Sequence, residues 1–219
     1  MRDAVQPHPL DQAALAAAID ALAGVDADVA RALARIGYPP PRQRPAGFAT
    51  LLQVMNAQQL STRSAAAIWA RLEAALTPEV TAAGLLALDD AALKAIGFSR
   101  QKTRYGRALA EAVAEGRLDL EMLAHAPEDQ AIAAISALTG FGRWSAEIYL
   151  LFALGRADVW PADDLGLQLG MQRLKRLEAR PGRRLMDELG DPWRPWRGAG
   201  AIFLWHVYGA ATLDDATPP

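Results

Sequence analysis

Two adjacent carboxylates, Asp163 and Asp164, stand between Pro161 and an amphipathic segment that runs from Leu165 to Leu177. A carboxylate in such a place can stabilise positive charge that develops on a reacting group and can orient an attacking water. The same residues can also be ordinary helix N-caps, which accept hydrogen bonds from the first backbone N–H groups. Spacing alone favours capping, and the catalytic interpretation needs independent support.

A glycine turn, Gly140-Phe141-Gly142, lies between two segments with helical periodicity. Glycines permit positive φ and let another backbone come close. The helix that follows presents unpaired N–H groups and the positive end of its dipole, which together suit a phosphate group. Taken alone, the pattern is more typical of a plain αα-hairpin in which Gly140 caps the first helix.

Two tryptophans accompany these features: Trp144 directly follows the glycine turn, and Trp205 lies in the last periodic segment. An indole stacks on flat ligands and attracts cationic ones through a cation–π interaction. Core positions on amphipathic helices are the alternative for both. That alternative is as good as the first for Trp205 and weaker for Trp144.

The elements that must position these residues are all helical in pattern. Apolar residues recur with helical spacing, no segment alternates like a strand, and we expect an all-α fold of about ten short helices. Ser61 and Ser99 are expected N-caps. Residues 37–46 are expected to be a linker, because their prolines are incompatible with a helix interior. Those prolines are Pro39, Pro40, Pro41 and Pro45.

Composition excludes several classes of protein. The 219 residues are 52% hydrophobic and 22% charged, which is typical of a globular chain. Because the chain has no cysteine, disulfides and cysteine-ligated metals are excluded, and its three scattered histidines argue against a histidine cage. No apolar run could span a bilayer and no signal peptide is recognisable at Met1, so we expect a cytoplasmic protein. The net charge of −2 argues against a nucleic-acid binder unless the bases cluster on one face.

The segment from Leu138 to Ala146 resembles the hairpin of the helix-hairpin-helix–GPD superfamily of DNA glycosylases, and the segment from Trp160 to Leu165 resembles the Asp loop that follows it. Three further segments resemble the 3-methyladenine DNA glycosylase II family within that superfamily. They are residues 56–61, residues 97–102, and Pro195-Trp196-Arg197 with Trp205. The matches occur in the expected order, which makes chance a poor explanation. Thr139, where many relatives have proline, is a mild departure.

The resemblance implies a single glycosylase unit over residues 1–219, built from two helical subdomains with a cleft between them. Residues 47–155 would form the lobe that carries the hairpin. Residues 1–36 and 156–213 would form the second lobe. The implied partner is double-stranded DNA with damaged bases, with no membrane association, and we expect a monomer.

Site residues follow from the same resemblance. Asp164 matches the catalytic carboxylate, which makes Asp163 the expected N-cap, and the helix dipole would favour an ionised Asp164. The implied base pocket consists of Trp144, Trp205 and Ile148. The implied DNA contacts are Gly140, Gly142, Arg143, Ser145 and Lys102, with Gln59 or Leu60 filling the gap left by a flipped base.

The resemblance implies no required cofactor and no metal held by side chains. Family hairpins often hold a monovalent cation on backbone carbonyls, which here would be those of Ser136, Leu138 and Phe141. In the lyase branch a lysine occupies the position of Trp144, so the resemblance implies a monofunctional enzyme.

The activity implied is hydrolytic excision of alkylated bases such as 3-methyladenine in base excision repair. Two alternatives stay open. The first is the same fold acting on another lesion, such as uracil or hypoxanthine. The second is a non-catalytic module that binds DNA through the hairpin alone, in which Asp164 is a cap and both tryptophans are core residues.

Overall fold

The structure is a computed structural model, and it describes residues 10–211. Within this range every regular element is a helix, which confirms the all-α prediction. Thirteen α-helices and one 3-10 helix occur in the described residues. None of the described helices combines the length and apolar character needed to cross a bilayer.

The described residues divide into two compact units. The first unit contains residues 10–43 and 154–211. Its helices are α1 (Gln12–Val25), α2 (Ala27–Ile36), α11 (Leu165–Lys175), α12 (Arg183–Gly190), a 3-10 helix (Asp191–Trp193) and α13 (Arg197–Gly209). Its core surrounds Trp193, whose ring leaves no room for a side chain at Gly200: a Cβ there would lie 2.5 Å from the indole.

The second unit contains residues 44–153. Its helices are α3 (Phe48–Ala57), α4 (Thr62–Ala75), α5 (Ala82–Ala87), α6 (Asp90–Ile96), α7 (Arg100–Ala114), α8 (Leu120–His125), α9 (Glu128–Ser136) and α10 (Arg143–Phe152). Tyr149 is fully buried in its core, and its hydroxyl accepts a hydrogen bond from the backbone N–H of Gly47 at 3.0 Å. Burial raises the pKa of Tyr149.

Polar side chains begin several helices where the sequence predicts. Ser61 caps α4 by accepting from the N–H of Ser64, and Ser99 caps α7 by accepting from the N–H of Lys102. Each such cap contributes about 1 kcal/mol to stability. Both predicted caps are therefore confirmed.

Residues 37–46 contain no helix, as their prolines predict. Gly37 ends α2 with a φ of 70°, a conformation that favours glycine. The predicted lobe boundaries and the cleft stay predictions, and residues 1–9 and 212–213 of the predicted second lobe lie outside the described residues.

Candidate functional site

The carboxylate of Asp164 is held by two N–H donors from different helices. Asp164 caps α11, and its Oδ1 accepts from the backbone N–H of Leu167 at 2.8 Å. The same oxygen accepts from Nε1 of Trp205, also at 2.8 Å. The residue is half-buried, so its carboxylate is positioned by the protein without being sealed from solvent.

Asp163 does not cap the helix, and this expectation from the sequence is wrong. Its side chain is exposed and forms an ion pair with Arg183. The helix begins at Leu165, which is also the first residue of the expected amphipathic segment, so the cap position falls on Asp164. Capping and the proposed catalytic position therefore coincide in one residue.

Two glycines of α11 allow α13 to approach closely enough for this contact. A Cβ on Gly170 would lie 2.3 Å from the carbonyl oxygen of Leu204, so the two backbones touch there. A Cβ on Gly166 would lie 3.0 Å from Cδ1 of Trp205. Small residues at these two positions thus fix where Trp205 stands relative to Asp164.

A cation lies on the face of the same indole. The guanidinium carbon of Arg42 is 5.5 Å from the ring centroid of Trp205, within the range of a cation–π interaction. Arg42 is exposed and Trp205 is half-buried. Sequence reasoning missed Arg42, because it lies in the proline-rich linker far from Trp205 in the chain.

The glycine turn joins α9 to α10 in the second unit. Gly140 has a φ of 90°, and a Cβ there would lie 2.1 Å from the ring of Tyr105. Gly140 therefore has positive φ, as expected, but its close neighbour is an aromatic ring. The N–H of Phe141 closes the turn by donating to the carbonyl of Leu138 at 3.0 Å.

Gly142 differs from Gly140 in its position, because it is the N-cap of α10. It is exposed, has a φ of −107°, and a Cβ there would meet nothing within 4 Å. No side chain caps this helix. The first turn of α10 thus presents its dipole at an uncrowded surface, which is what a phosphate seat requires.

Ser145 and Gln58 connect the turn to the loop after α3. The side-chain amide of Gln58 donates to the carbonyl of Gly140 and to Oγ of Ser145, each at 3.0 Å. Ser145 is 1% exposed, so its hydroxyl is a structural partner, and this does not support the predicted DNA contact through that side chain. Gln58 was missed, although it adjoins Gln59 in the loop singled out by sequence.

The ammonium of Lys102 is also occupied by hydrogen bonds within the second unit. Its ammonium donates to the carbonyls of Met55 at 3.1 Å, of Gln58 at 3.0 Å and of Asn56. An ammonium has three N–H bonds, and these contacts use all of them. The geometry therefore does not support the predicted phosphate contact, and Lys102 instead caps the C-terminal end of α3. Burial lowers the pKa of Lys102.

The two residues predicted to fill the gap in the duplex are both presented at the surface. Gln59 is exposed with a φ of 57°, which is unusual for a residue other than glycine. Leu60 is 37% exposed. They border a depression of about 240 Å³ that Gly97 and Tyr105 also line.

The remaining predicted residues lie at the start of α10. Arg143 is exposed and forms an ion pair with Glu147 at 2.7 Å, one turn further along. Trp144 is half-buried, and Ile148 is 7% exposed. Trp144 and Ile148 are four residues apart and therefore share one face of the helix.

Fold and hairpin together define a helix-hairpin-helix protein of the DNA repair class, and the comparisons agree. The family model described as HhH-GPD superfamily base excision DNA repair protein matches residues 52–195. DNA-3-methyladenine glycosylase 1 of Schizosaccharomyces pombe is 30% identical over 208 residues, covering 90% of this chain and 88% of that protein.

Two solved structures are similar over nearly their whole lengths. A 3-methyladenine DNA glycosylase of Schizosaccharomyces pombe in complex with abasic DNA has a TM-score of 0.82 at 28% identity, covering 89% of this chain and 98% of that chain. A DNA-3-methyladenine glycosidase of Bacillus halodurans has a TM-score of 0.77 at 30% identity, covering 93% and 92%. The chain therefore belongs to the HhH-GPD superfamily and, within it, to the 3-methyladenine DNA glycosylases.

Proposed function

We propose that this protein is a monofunctional DNA glycosylase that flips and hydrolytically excises alkylated bases, such as 3-methyladenine, from double-stranded DNA. The observation that carries the proposal is the Asp164 carboxylate, fixed by Leu167 and Trp205 at 2.8 Å each. The relatives that are 3-methyladenine DNA glycosylases support it. A monomer in the cytoplasm is part of the proposal.

The reaction assigned to Asp164 is replacement of the base by water. The bond between C1′ of the sugar and the base nitrogen breaks, and its electron pair stays with the base. An alkylated purine that carries a positive charge thereby leaves as a neutral molecule, so no dedicated acid is needed. Asp164 stabilises the positive charge on the sugar and accepts a proton from the water whose oxygen bonds to C1′.

The monofunctional character follows from the residue at the hairpin position. A lyase would need an amine there to form a Schiff base with the sugar. This chain has Trp144 instead. The product is therefore an intact strand with an abasic site.

DNA is held, in this proposal, by the exposed start of α10. Gly142 leaves room for a phosphate at the helix N-terminus, and the next residue, Arg143, has an exposed guanidinium that pairs with Glu147. These contacts position the duplex and do not read its sequence. Gln59 is the better candidate to fill the gap, because its left-handed backbone is an unfavourable conformation of the kind found at functional sites.

Holding the extruded base is the role proposed for Trp205, Trp144 and Ile148. Trp205 is supported by its bond to Asp164, which places the edge of the indole next to the carboxylate. Trp144 is supported by its incomplete burial directly after the turn.

A monovalent cation on the carbonyls of Ser136, Leu138 and Phe141 fits the residues present. The carbonyl of Leu138 accepts one hydrogen bond and keeps a second lone pair. The hydroxyl of Ser136 is buried without a hydrogen-bond partner, so an oxygen donor is available in this stretch of chain. Such a cation would add positive charge at the turn that faces the phosphate. Neither a cation nor another cofactor takes part in the proposed reaction.

Replacing Asp164 tests the proposal directly. Asn keeps an acceptor oxygen for Leu167 and Trp205, so Asp164→Asn is expected to fold normally while losing at least about 100-fold in single-turnover excision of 7-methylguanine from a duplex. The matched control is Asp163→Asn, which removes the neighbouring exposed carboxylate and is expected to excise at the unaltered rate. Equal rates for Asp164→Asn and the unaltered protein would refute the assignment.

A further inference from the structure

The side chain of Gln58 joins two features of the second unit to which the proposed function gives separate tasks. Its amide donates to the carbonyl of Gly140 and to Oγ of Ser145, each at 3.0 Å. A side-chain amide nitrogen has two N–H bonds, and these contacts use both. Gly140 belongs to the glycine turn, and Ser145 lies in the first turn of α10. The loop after α3 is therefore bonded to the start of the helix that is proposed to seat a phosphate.

The backbone of Gln58 is held as well as its side chain. Its N–H donates to the carbonyl of Met55 at 3.3 Å, and its carbonyl accepts from Nζ of Lys102 at 3.0 Å. The next residue, Gln59, has a φ of 57°. A residue other than glycine keeps such a backbone only where the surrounding structure imposes it. We ascribe the conformation of Gln59 to these bonds, because they fix the residue directly before it.

The turn to which Gln58 is bonded is itself rigid. At Gly140 a Cβ would lie 2.1 Å from the ring of Tyr105, so the turn is packed against α7. Phe141 is 4% exposed, and its N–H donates to the carbonyl of Leu138 at 3.0 Å. The Gln58 side chain thus connects a fixed loop residue to a fixed turn, and it sets the place of the loop relative to the start of α10.

We propose that Gln58 is a positioning residue for base flipping, whose side chain aligns Gln59 with the phosphate seat at the start of α10. A duplex gripped by that seat then presents the nucleotide to be flipped where Gln59 enters the gap. This inference rests on the proposed function, since it concerns the same DNA contacts. It gives a role to a residue that touches neither the extruded base nor a phosphate.

Loss of the alignment affects flipping more than it affects binding. When Gln59 is misplaced, it no longer fills the gap, so the flipped state is less populated and the maximal rate of excision falls. Affinity for an undamaged duplex depends on phosphate contacts and stays unchanged. A base without a pairing partner flips at lower cost, so its excision depends less on the filling of the gap.

The test replaces Gln58 by Met, which keeps the length of the side chain and removes both N–H donors. Maximal single-turnover rates are measured on two duplexes with one 7-methylguanine, placed opposite cytosine or opposite an abasic analogue. We expect Gln58→Met to lose about tenfold or more opposite cytosine and about threefold or less opposite the abasic analogue. Gln130→Met is the matched control, because Gln130 is exposed on α9 of the same unit, and its rates are expected to match those of the unaltered protein.

Ser145→Ala breaks the same link more mildly, since Gln58 still donates to Gly140. We expect a smaller loss with the same dependence on the opposite base. Adding Ser145→Ala to Gln58→Met is expected to change the rates by less than about twofold, because both substitutions remove one shared interaction. Urea denaturation shows which variants are folded at the assay temperature, and Ser145→Ala carries the test alone where Gln58→Met is not.

Equal fractional losses on the two duplexes would overturn the role, because a structural defect slows both alike. Unaltered rates on both, or losses that add fully in the double variant, would do the same. A weaker affinity for undamaged duplex at an unaltered maximal rate would assign Gln58 to the phosphate seat instead. Failure of the proposed function is distinct, because the unaltered protein would then release 7-methylguanine from neither duplex, and the role of Gln58 would fall with it.

Discussion

At the scale of single residues, the oxygen Oδ1 of Asp164 links two helices, since the N–H groups that it accepts come from α11 and from the side chain of Trp205 on α13. A carboxylate that must meet a developing charge gains from being fixed before the reaction starts. The first hydrogen bond sets its position along α11 and the second sets its direction. Helix capping is therefore part of how the proposed catalyst is oriented.

The two glycines of the turn are expected to affect different properties: Gly140 the stability of the fold, and Gly142 the access of DNA to the start of α10. Gly140→Ala would place a Cβ 2.1 Å from the ring of Tyr105 at a φ of 90°, so we expect a loss of about 2 kcal/mol or more in the free energy of unfolding. Gly142→Ala meets nothing within 4 Å at a φ of −107°, and we expect a change within about 0.5 kcal/mol. Urea denaturation of both variants measures the difference.

If Gly142 serves only as a helix cap, its alanine variant would bind DNA normally. If the cap region seats a phosphate, the added methyl group crowds it, and affinity for undamaged duplex falls at unchanged stability. Gly140→Ala is expected to do the opposite: its stability falls, while the affinity of the folded variant for undamaged duplex is unchanged. Equal unfolding free energies for the two variants would contradict the conformations described for the turn.

At the scale of elements, the segment from Gly97 to Lys102 is a joint between three helices. Gly97 ends α6 with a φ of 111°, Phe98 is 3% exposed, and Ser99 begins α7. Lys102 then reaches the carbonyls at the end of α3, just before the loop that contains Gln59. The segment on which part of the family resemblance depends thus holds the loop proposed to enter the duplex.

Replacing Lys102 distinguishes this structural role from a phosphate contact. Lys102→Met keeps the aliphatic stem and removes the ammonium, which leaves carbonyls at the end of α3 without their donor. We expect a loss of about 1–3 kcal/mol in the free energy of unfolding, measured by urea denaturation. Arg100→Met, at an exposed position on the same helix, is the control. Normal stability combined with a reduced salt dependence of DNA binding would restore the phosphate interpretation.

Helices could be predicted from the sequence where the apolar pattern is long or where capping residues and prolines mark the helix ends. The caps at Ser61 and Ser99 and the prolines of the linker act locally, so the sequence shows them directly. Helices α5 and α8 have six residues each, too few to display a period, and this accounts for two of the described helices beyond the ten or so expected. The expected cap at Asp163 is wrong because capping and the proposed catalytic position were assigned to two residues, whereas the one carboxylate of Asp164 can serve both.

At the scale of the whole molecule, the candidate site depends on pairs that are distant in the chain. Trp205 and Asp164 are 41 residues apart, and Gln58 and Ser145 are 87 apart. No local pattern encodes such pairs, so the roles of Gln58 and Lys102 became apparent only in the structure. The family, by contrast, was recognisable because its motifs are local and keep their order.

The first unit also contains a cluster of ion pairs, which we call the clasp. It links the two stretches of chain that form the unit, residues 10–43 and 154–211. Lys175 on α11 pairs with Asp26 at 2.6 Å and with Asp28 at 3.0 Å, and Nε1 of Trp193 donates to Asp26 at 2.9 Å. Burial raises the pKa of Asp26, but the hydrogen bonds from Lys175 and Trp193 outweigh it and lower the pKa below its ordinary value of 3.8. The ionised clasp therefore favours the folded state.

The lowered pKa fixes how stability depends on pH. The contribution of Asp26 is complete above its ordinary pKa of 3.8 and is lost as the pH falls through the lower value of the folded state. Asp26→Asn keeps a capping side chain on α2 and removes the charge, so we expect it to cost about 2 kcal/mol at neutral pH. Below about pH 4 the difference from the unaltered protein should shrink.

Urea denaturation at neutral pH and at pH 3, with Asp26→Asn beside the unaltered protein, measures this dependence. Glu188→Gln is the matched control, because that carboxylate is 56% exposed and 3.6 Å from Arg184, and we expect it to change stability by less than about 0.5 kcal/mol. The difference in unfolding free energy between Asp26→Asn and the unaltered protein could instead stay constant down to pH 3. That result would show that the size or the capping of the side chain, and not its charge, stabilises the clasp. A narrowing gap requires the ion pair, because only the protonation of Asp26 removes the charge that the variant lacks throughout.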